Sequence, residues 1–280
     1  MLPSPRLLLT IDYESWFAPS RRYDFLPPEK RFALDDNFSN QVIDPILEIF
    51  ADKKVSFYLV GEMIDWYPDL PKKIFEAGHE VGFHCQIHRR LIDEVEIEKD
   101  LKASVAWRKK YNVKGYRAPM INTIEGMYPL LEKYNFTYSS SIYAPSGNIV
   151  QKGNIQEIPV STLSLIAKPK KLSAPRNMNL SLILRGEFPY GSSMMSGLFT
   201  KTVFNIIEKE LKAGLSPVIF LHPYEIISPE NFTKKFAVDM LHHPLLYPFT
   251  LNKSAFLKDL LKNFPTSTVK DYLTSRDTAK

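Results

Sequence analysis

Short apolar runs alternate along the chain with longer segments whose apolar residues recur at helical spacing. Leu7–Ile11 reads as a first buried strand. Asn40–Ala51 carries Val42, Ile43, Ile46, Leu47, Ile49 and Phe50, the stripe of an amphipathic helix. Val55–Val60 is β-branched and aromatic and predicts a second strand. Leu70–Ala77 predicts a helix that stops at Gly78, a natural C-terminal cap. A strand over Glu80–Phe83, a charged helix over Glu94–Tyr111, a strand over Gly115–Arg117 and a helix over Ile124–Tyr134 follow. Between Tyr138 and Ser196 the pattern weakens, leaving strand candidates at Gln156–Val160 and Leu180–Leu184. It sharpens again in a helix over Phe199–Lys212 and a strand over Pro217–Leu221. A helix over Lys253–Asn263 and a strand over Thr266–Thr268, leading into Val269–Leu273, complete the tail.

Strands separated by helices pair in parallel through crossover connections. About seven or eight such units predict an α/β fold of TIM-like type, a distorted (β/α)7-8 barrel. No repeat, linker or low-complexity block interrupts it, so the expectation is a single domain over residues 1–280. Its core spans about residues 6–226, and a C-terminal extension over about 227–280 packs on the barrel.

Composition narrows the function classes. The 280 residues are 44% hydrophobic and 24% charged, which excludes a disordered, collagen-like or coiled-coil chain. A net charge of +5 is spread thinly and lacks the basic stripe of a nucleic-acid binder, so no nucleic-acid partner is expected. The single cysteine, Cys85, excludes an internal disulfide and a cysteine-rich zinc site, and reads as a small buried filler. No apolar run reaches the ~18 residues of a membrane helix, so no transmembrane segment is expected. Leu7–Ile11 is too short for a signal-peptide core, which makes the expected location cytoplasmic. Oligomeric state leaves no trace in the pattern.

In parallel α/β folds, polar residues just past the strand ends line the active site. Here those positions hold Asp12 and Glu14, His84 and His88, Arg117, and His222. His84 and His88 are four apart, a spacing that on one helical turn brings both imidazoles to one side for a divalent metal. A carboxylate would complete a two-histidine, one-carboxylate site suited to Zn2+ or another first-row ion such as Co2+, Ni2+ or Fe2+. Asp12 and Glu14, two apart on a strand, would face the same cavity. Arg117 could hold a nearby carboxylate ionised, and His222 could act as a general acid. His79, at a helix–strand junction, reads as structural, and His242 and His243, in the tail, read as surface or packing residues.

These residues resemble the polysaccharide deacetylase family, the NodB-homology carbohydrate esterases. Thr10-Ile11-Asp12-Tyr13-Glu14 is similar to the family's first motif. The segment Val55–Leu91, with Ala77-Gly78-His79-Glu80-Val81-Gly82, His84 and His88, resembles its metal-histidine motif and approach. Gly115-Tyr116-Arg117-Ala118-Pro119 resembles the third motif, and Phe220-Leu221-His222-Pro223-Tyr224-Glu225 the last. The His-Pro-aromatic-Glu form is similar to a subgroup tied to surface-glycan synthesis.

The resemblance implies metal-dependent hydrolysis of an acetyl group, mostly N-acetyl, on a carbohydrate substrate. Asp12 would be the base, tuned by Arg117. Glu14, His84 and His88 would hold the metal, with Asp12 the alternative carboxylate ligand. His222 would protonate the departing amine. Tyr13, Trp16, Pro119, Tyr143, Tyr190 and Leu221 would contact substrate. Two departures stand out. The first motif is Asp-x-Glu rather than paired aspartates, and Ser139–Ser141 replace the aspartate that usually supports the acid histidine. The same barrel would also suit hydrolysis of a non-sugar C–N bond in a cyclic amide or imide, or glycan binding without catalysis.

Overall fold

The computed structural model describes residues 4–165 and 186–278, together with Leu182 and Leu184. Its strands are β1 (Leu8–Tyr13), β2 (Ser56–Val60), β3 (Glu80–Cys85), β4 (Gly115–Tyr116), β5 (Tyr138–Ser139) and β6 (Tyr143–Pro145). After these come β7 (Val150–Lys152), β8 (Ile155–Glu157), β9 (Val160–Ser164), β10 (Glu187–Phe188) and β11 (Val218–Leu221). An eight-stranded sheet runs in the order β11-β1-β2-β3-β4-β5-β8-β7, parallel except for the antiparallel edge strand β7.

The sheet curls because its last parallel pair continues past a bend. The β5–β8 pairing resumes as the parallel β6–β9 pairing of a second, smaller sheet. Gly191 then spans the gap back to β11. Its N–H donates to the Ser161 carbonyl at 2.9 Å, and its own carbonyl accepts from the Phe220 N–H at 3.0 Å. A Cβ at Gly191 would lie 2.5 Å from the Val218 carbonyl oxygen and 2.7 Å from the Ser161 nitrogen, so only glycine fits this seam. The result is the distorted (β/α) barrel that the strand–helix alternation predicts.

Strand alternation sorts side chains into layers. Leu7, Leu9, Ile11, Tyr13 and Leu221 pack outward in the main core with the surrounding helices. The expected helix over Asn40–Ala51 is one of these; it spans Phe38–Phe50 and buries Val42, Ile43, Ile46 and Phe50. Inside, Leu8, Tyr58, Tyr138, Ile158 and Val218 fill the base of the barrel, where Val269 and Leu273 of the Val269–Asp277 helix plug it. The Val269 and Lys270 N–H groups donate to Ser56 Oγ at 2.9 Å and Glu80 Oε2 at 3.1 Å, tying that helix to the starts of β2 and β3.

Several elements differ from the sequence expectation. The Glu94–Tyr111 helix is two, Glu94–Ala103 and Val105–Lys110. Ser104 Oγ donates to the Leu101 carbonyl and accepts from Arg108, a local alternative to the helical ladder. Thr266 makes one isolated bridge to Leu7 rather than a strand, and Thr268 caps the helix that follows. The helices Pro28–Asp35 and Gly61–Trp66 are too short to show a period. The expected strand Leu180–Leu184 lies outside the continuous described stretches. Among the described residues, no helix is long and apolar enough to cross a membrane.

Candidate active site

The inward-facing positions of β1 carry the site. Thr10 and Asp12 face the interior, and Glu14 follows just past the strand end, buried with only 2% exposure. His84 is in β3, whereas His88 lies in the loop beyond it. The two imidazoles therefore meet through a strand end and its loop, not on one helical turn. Their ring centroids are 5.3 Å apart.

Glu14 sits at the meeting point of three imidazoles. Its Oε2 is 3.0 Å from His88 Nε2 and 3.7 Å from His84 Nε2, and its Oε1 is 3.6 Å from His222 Nε2. The Tyr224 hydroxyl donates to Oε1 at 2.8 Å. Burial alone would raise the Glu14 pKa, but His88 and His222 draw it down to about 2. His84 Nδ1–H donates to the Arg117 carbonyl at 2.7 Å. A carbonyl only accepts, so that bond puts the proton on Nδ1 and leaves the Nε2 lone pair toward Glu14. Burial holds the His84 pKa down to about 4, in the neutral form a metal requires. Burial acts the same way on His88, but Glu14 beside it raises the pKa overall.

These features test the fit of a cation. Donor atoms of Glu14, His84 and His88 lie within 4.8 Å of one another, and all three residues are buried. Glu14 Oε2 is buried without an aligned hydrogen-bond partner. A carboxylate oxygen in that condition, facing two imidazole nitrogens, is the donor set of a two-histidine, one-carboxylate centre. The residues fit a divalent ion.

Asp12 is engaged elsewhere. Arg117, just past β4, is fully buried and donates through Nη1 to Asp12 Oδ1 at 2.7 Å and to Thr10 Oγ1 at 2.6 Å. Its Nε and Nη2 donate to the Ser140 carbonyl at 2.9 Å and to Ser140 Oγ at 2.8 Å. The guanidinium lies over the Tyr58 ring, 4.4 Å from its centroid. Of the three serines over Ser139–Ser141, Ser140 thus holds Arg117.

His222, at the end of β11, closes the opposite side. Its Nδ1 lies 2.9 Å from Glu225 Oε2, which also accepts from the His222 backbone N–H at 2.8 Å. Burial lowers the His222 pKa, but Glu225 and Glu14 together raise it. The other Glu225 oxygen accepts from Lys253, which is itself buried. Sequence reasoning missed Glu225, Lys253 and Tyr224 as parts of this site. The His-x-x-Glu spacing at a helix start was the available signal for Glu225, since it is that of a capping box.

A cavity of about 240 Å3 opens over these groups. Asp12, Glu14, His84, His88, His222 and Tyr224 line it, with Ala18, Pro19, Met120, Ile121, Tyr143, Phe220 and Phe249 as apolar walls. Of the expected substrate contacts, Tyr143 lines the cavity and the others do not. Tyr13 and Leu221 have the opposite strand parity to Asp12 and Phe220, so they point into the outer core. The Tyr13 hydroxyl is occupied by the Ser39 carbonyl. Trp16 donates to the Leu34 carbonyl and packs edge-on against Phe17 and Phe236. The Tyr190 hydroxyl binds Ser146 and Glu210. Pro119 is buried behind Met120 and Ile121, which take the wall instead. Cys85 is buried, with its thiol pKa pushed up by that burial, as a packing residue should be.

Residues 29–139 match the sequence profile of the polysaccharide deacetylase family. The likeness to this family covers that stretch, which includes His84, His88 and Arg117. Among solved structures, a Mycobacterium smegmatis protein described as a candidate polysaccharide deacetylase is similar in fold, with a TM-score of 0.54 and 16% identity over 96% of each chain. An allantoinase is similar with a TM-score of 0.52 and 14% identity, over 94% of this chain and 91% of that one. The 4-alpha-glucanotransferase of Thermococcus litoralis has a TM-score of 0.53 and 12% identity, over 97% of this chain and 40% of its own. Likeness at such identities is likeness of fold. No curated protein sequence matches the chain significantly. The activity therefore rests on the side chains.

Proposed function

We propose that the protein is a divalent-metal-dependent deacetylase that hydrolyses an N-acetyl group on a sugar or glycan precursor. The observation that carries this reading is the three-part cavity floor. Glu14, His84 and His88 form a donor set between the Asp12–Arg117 pair and His222. The likeness to the polysaccharide deacetylase family over residues 29–139 supports a deacetylase hydrolase, and the apolar walls suit an acetyl methyl group.

Glu14, His84 and His88 would hold the cation, with zinc the ion best matched to their donors. When bound, it supplies Lewis-acid activation of water and of the acetyl carbonyl. Arg117 holds Asp12 at the cavity, where it accepts the proton of the attacking water. His222 delivers a proton to the nitrogen as the C–N bond breaks, since its Nε2 faces the cavity. Tyr143 and Phe220 form walls against which the substrate packs. Residues 6–226 serve as the catalytic barrel, with 227–280 as its extension.

The test is acetate release by zinc-loaded protein from N-acetylated sugars presented free, nucleotide-linked, lipid-linked and polymeric. Asp12→Asn should lower the rate by about 10²–10⁴-fold. Failure on every acetylated sugar, with ring opening of a cyclic amide instead, would replace the reading with the non-sugar hydrolase.

A further inference from the structure

We infer that Glu225 and Lys253 are a buried positioning pair that holds His222 with Nδ1–H inward and Nε2 facing the cavity. On this view a residue of the C-terminal extension completes the active site. The inference rests on the deacetylase reading for its kinetic consequence, but not for its geometry.

One carboxylate oxygen does two things to His222. Glu225 Oε2 accepts the His222 backbone N–H at 2.8 Å and faces Nδ1 at 2.9 Å, so backbone and ring are clamped to a single atom. An ionised carboxylate only accepts, so Nδ1 must carry a hydrogen and Nε2 is the nitrogen presented to the cavity. The nearest competitor for Nδ1 is Ser193 Oγ at 3.4 Å, a longer and uncharged contact. The ring is also held face-on by Tyr224, with centroids 5.0 Å apart and planes 8° from parallel.

A fully buried carboxylate needs a counter-charge. Lys253 supplies it from the other Glu225 oxygen, and its 3% exposure leaves little water to compete. Its ammonium is fixed further by the Pro248 carbonyl at 3.1 Å, and its backbone N–H donates to the Glu225 carbonyl at 2.6 Å. Gly197 leaves room for the lysine stem, since a Cβ there would lie 2.9 Å from Lys253 Cε. Ser140 and Ser141 are committed to Arg117 and the Ala118 N–H.

The test is the His222 tautomer by ¹⁵N-histidine NMR of the full chain at alkaline pH, assigned by difference against His222→Gln. Wild type should show the Nδ1–H form. The double substitution Glu225→Leu, Lys253→Met removes both charges together, so no buried charge is left unpaired. It should switch His222 to the Nε2–H form. An Nε2–H signal in wild type, or an Nδ1–H signal that survives in the double variant, overturns the inference. Because wild type alone can overturn it, a double variant that fails to fold does not shelter it. In the acetate assay the double variant should lose about 10–100-fold in kcat with KM unchanged, and Lys253→Arg alone, which keeps a cation beside Glu225, should retain most of the wild-type rate. Absence of acetate release by wild type would count against the deacetylase reading and leave the tautomer result standing.

Discussion

Arg117 reaches through the barrel interior to Asp12, 2.7 Å away; the arginine is fully buried and the aspartate is exposed only where it lines the cavity. Removing one partner strands a buried charge. Arg117→Ala should therefore destabilise the fold by about 3–5 kcal/mol. Arg117→Lys keeps the charge but loses the planar fork that also grips Thr10 and Ser140. It should fold and still lose most activity. Urea denaturation and the acetate assay, run on both variants, separate the two effects.

Metal loading gives the second expectation. After dialysis, wild type should retain about one zinc per chain by elemental analysis, and His84→Ala with His88→Ala should retain none. Tyr224 acts one step out, through its 2.8 Å hydrogen bond to Glu14. Tyr224→Phe should weaken zinc binding by about 10–100-fold without unfolding the protein. A wild type that stays metal-free after reconstitution would remove the proposed mechanism.

The strands and the residues at their ends were legible because burial and polarity change abruptly there. Leu9 and Ile11 precede Asp12, and Ile219 precedes His222. Side-chain direction was less legible. Tyr13 and Leu221 look like substrate contacts by proximity in sequence, yet strand parity turns them into the outer core. Tyr190 and Trp16 look free to stack on a sugar, yet their polar atoms are spent on Glu210 and on the Leu34 carbonyl. Glu225 was readable as a capping residue, but its partner Lys253 is not, because a contact 28 residues away depends on how the tail folds back.

Gly191 bridges β9 and β11 where the barrel closes, and the cost of filling that seam can be measured. Gly191→Ala places a methyl group against backbone atoms of both β11 and β9, which cannot swing aside as a side chain could. The seam must open, so the substitution should cost about 1–3 kcal/mol or more. Tyr143 and Ser192, which line the cavity beside this seam, would move with it. Thermal melting should show the loss of stability. The acetate assay should show a higher KM, because the wall is displaced while the groups at the ends of β1 and β3 stay in place.

The pH dependence of stability contains a signal from a histidine outside the site. His79 is 5% exposed, with its ring against Phe50 and Phe57. Burial, helped by Lys54, lowers its pKa from 6.5 to about 4. The unfolded chain therefore binds the extra proton between those values, and the folded chain does not. Stability from this residue is complete above pH 6.5 and is lost as the pH falls toward 4, by about 3 kcal/mol at most. Glu157 and Asp100 act with the opposite sign in an overlapping range. Burial raises them to about 7 and about 6, so their contribution falls as pH rises. The total curve mixes these effects, and the difference between wild type and His79→Leu isolates the first. Urea midpoints measured from pH 4 to 8 should give a difference that grows from pH 4 to about 6.5 and levels above it. A flat difference would mean that His79 titrates alike in the folded and unfolded chains.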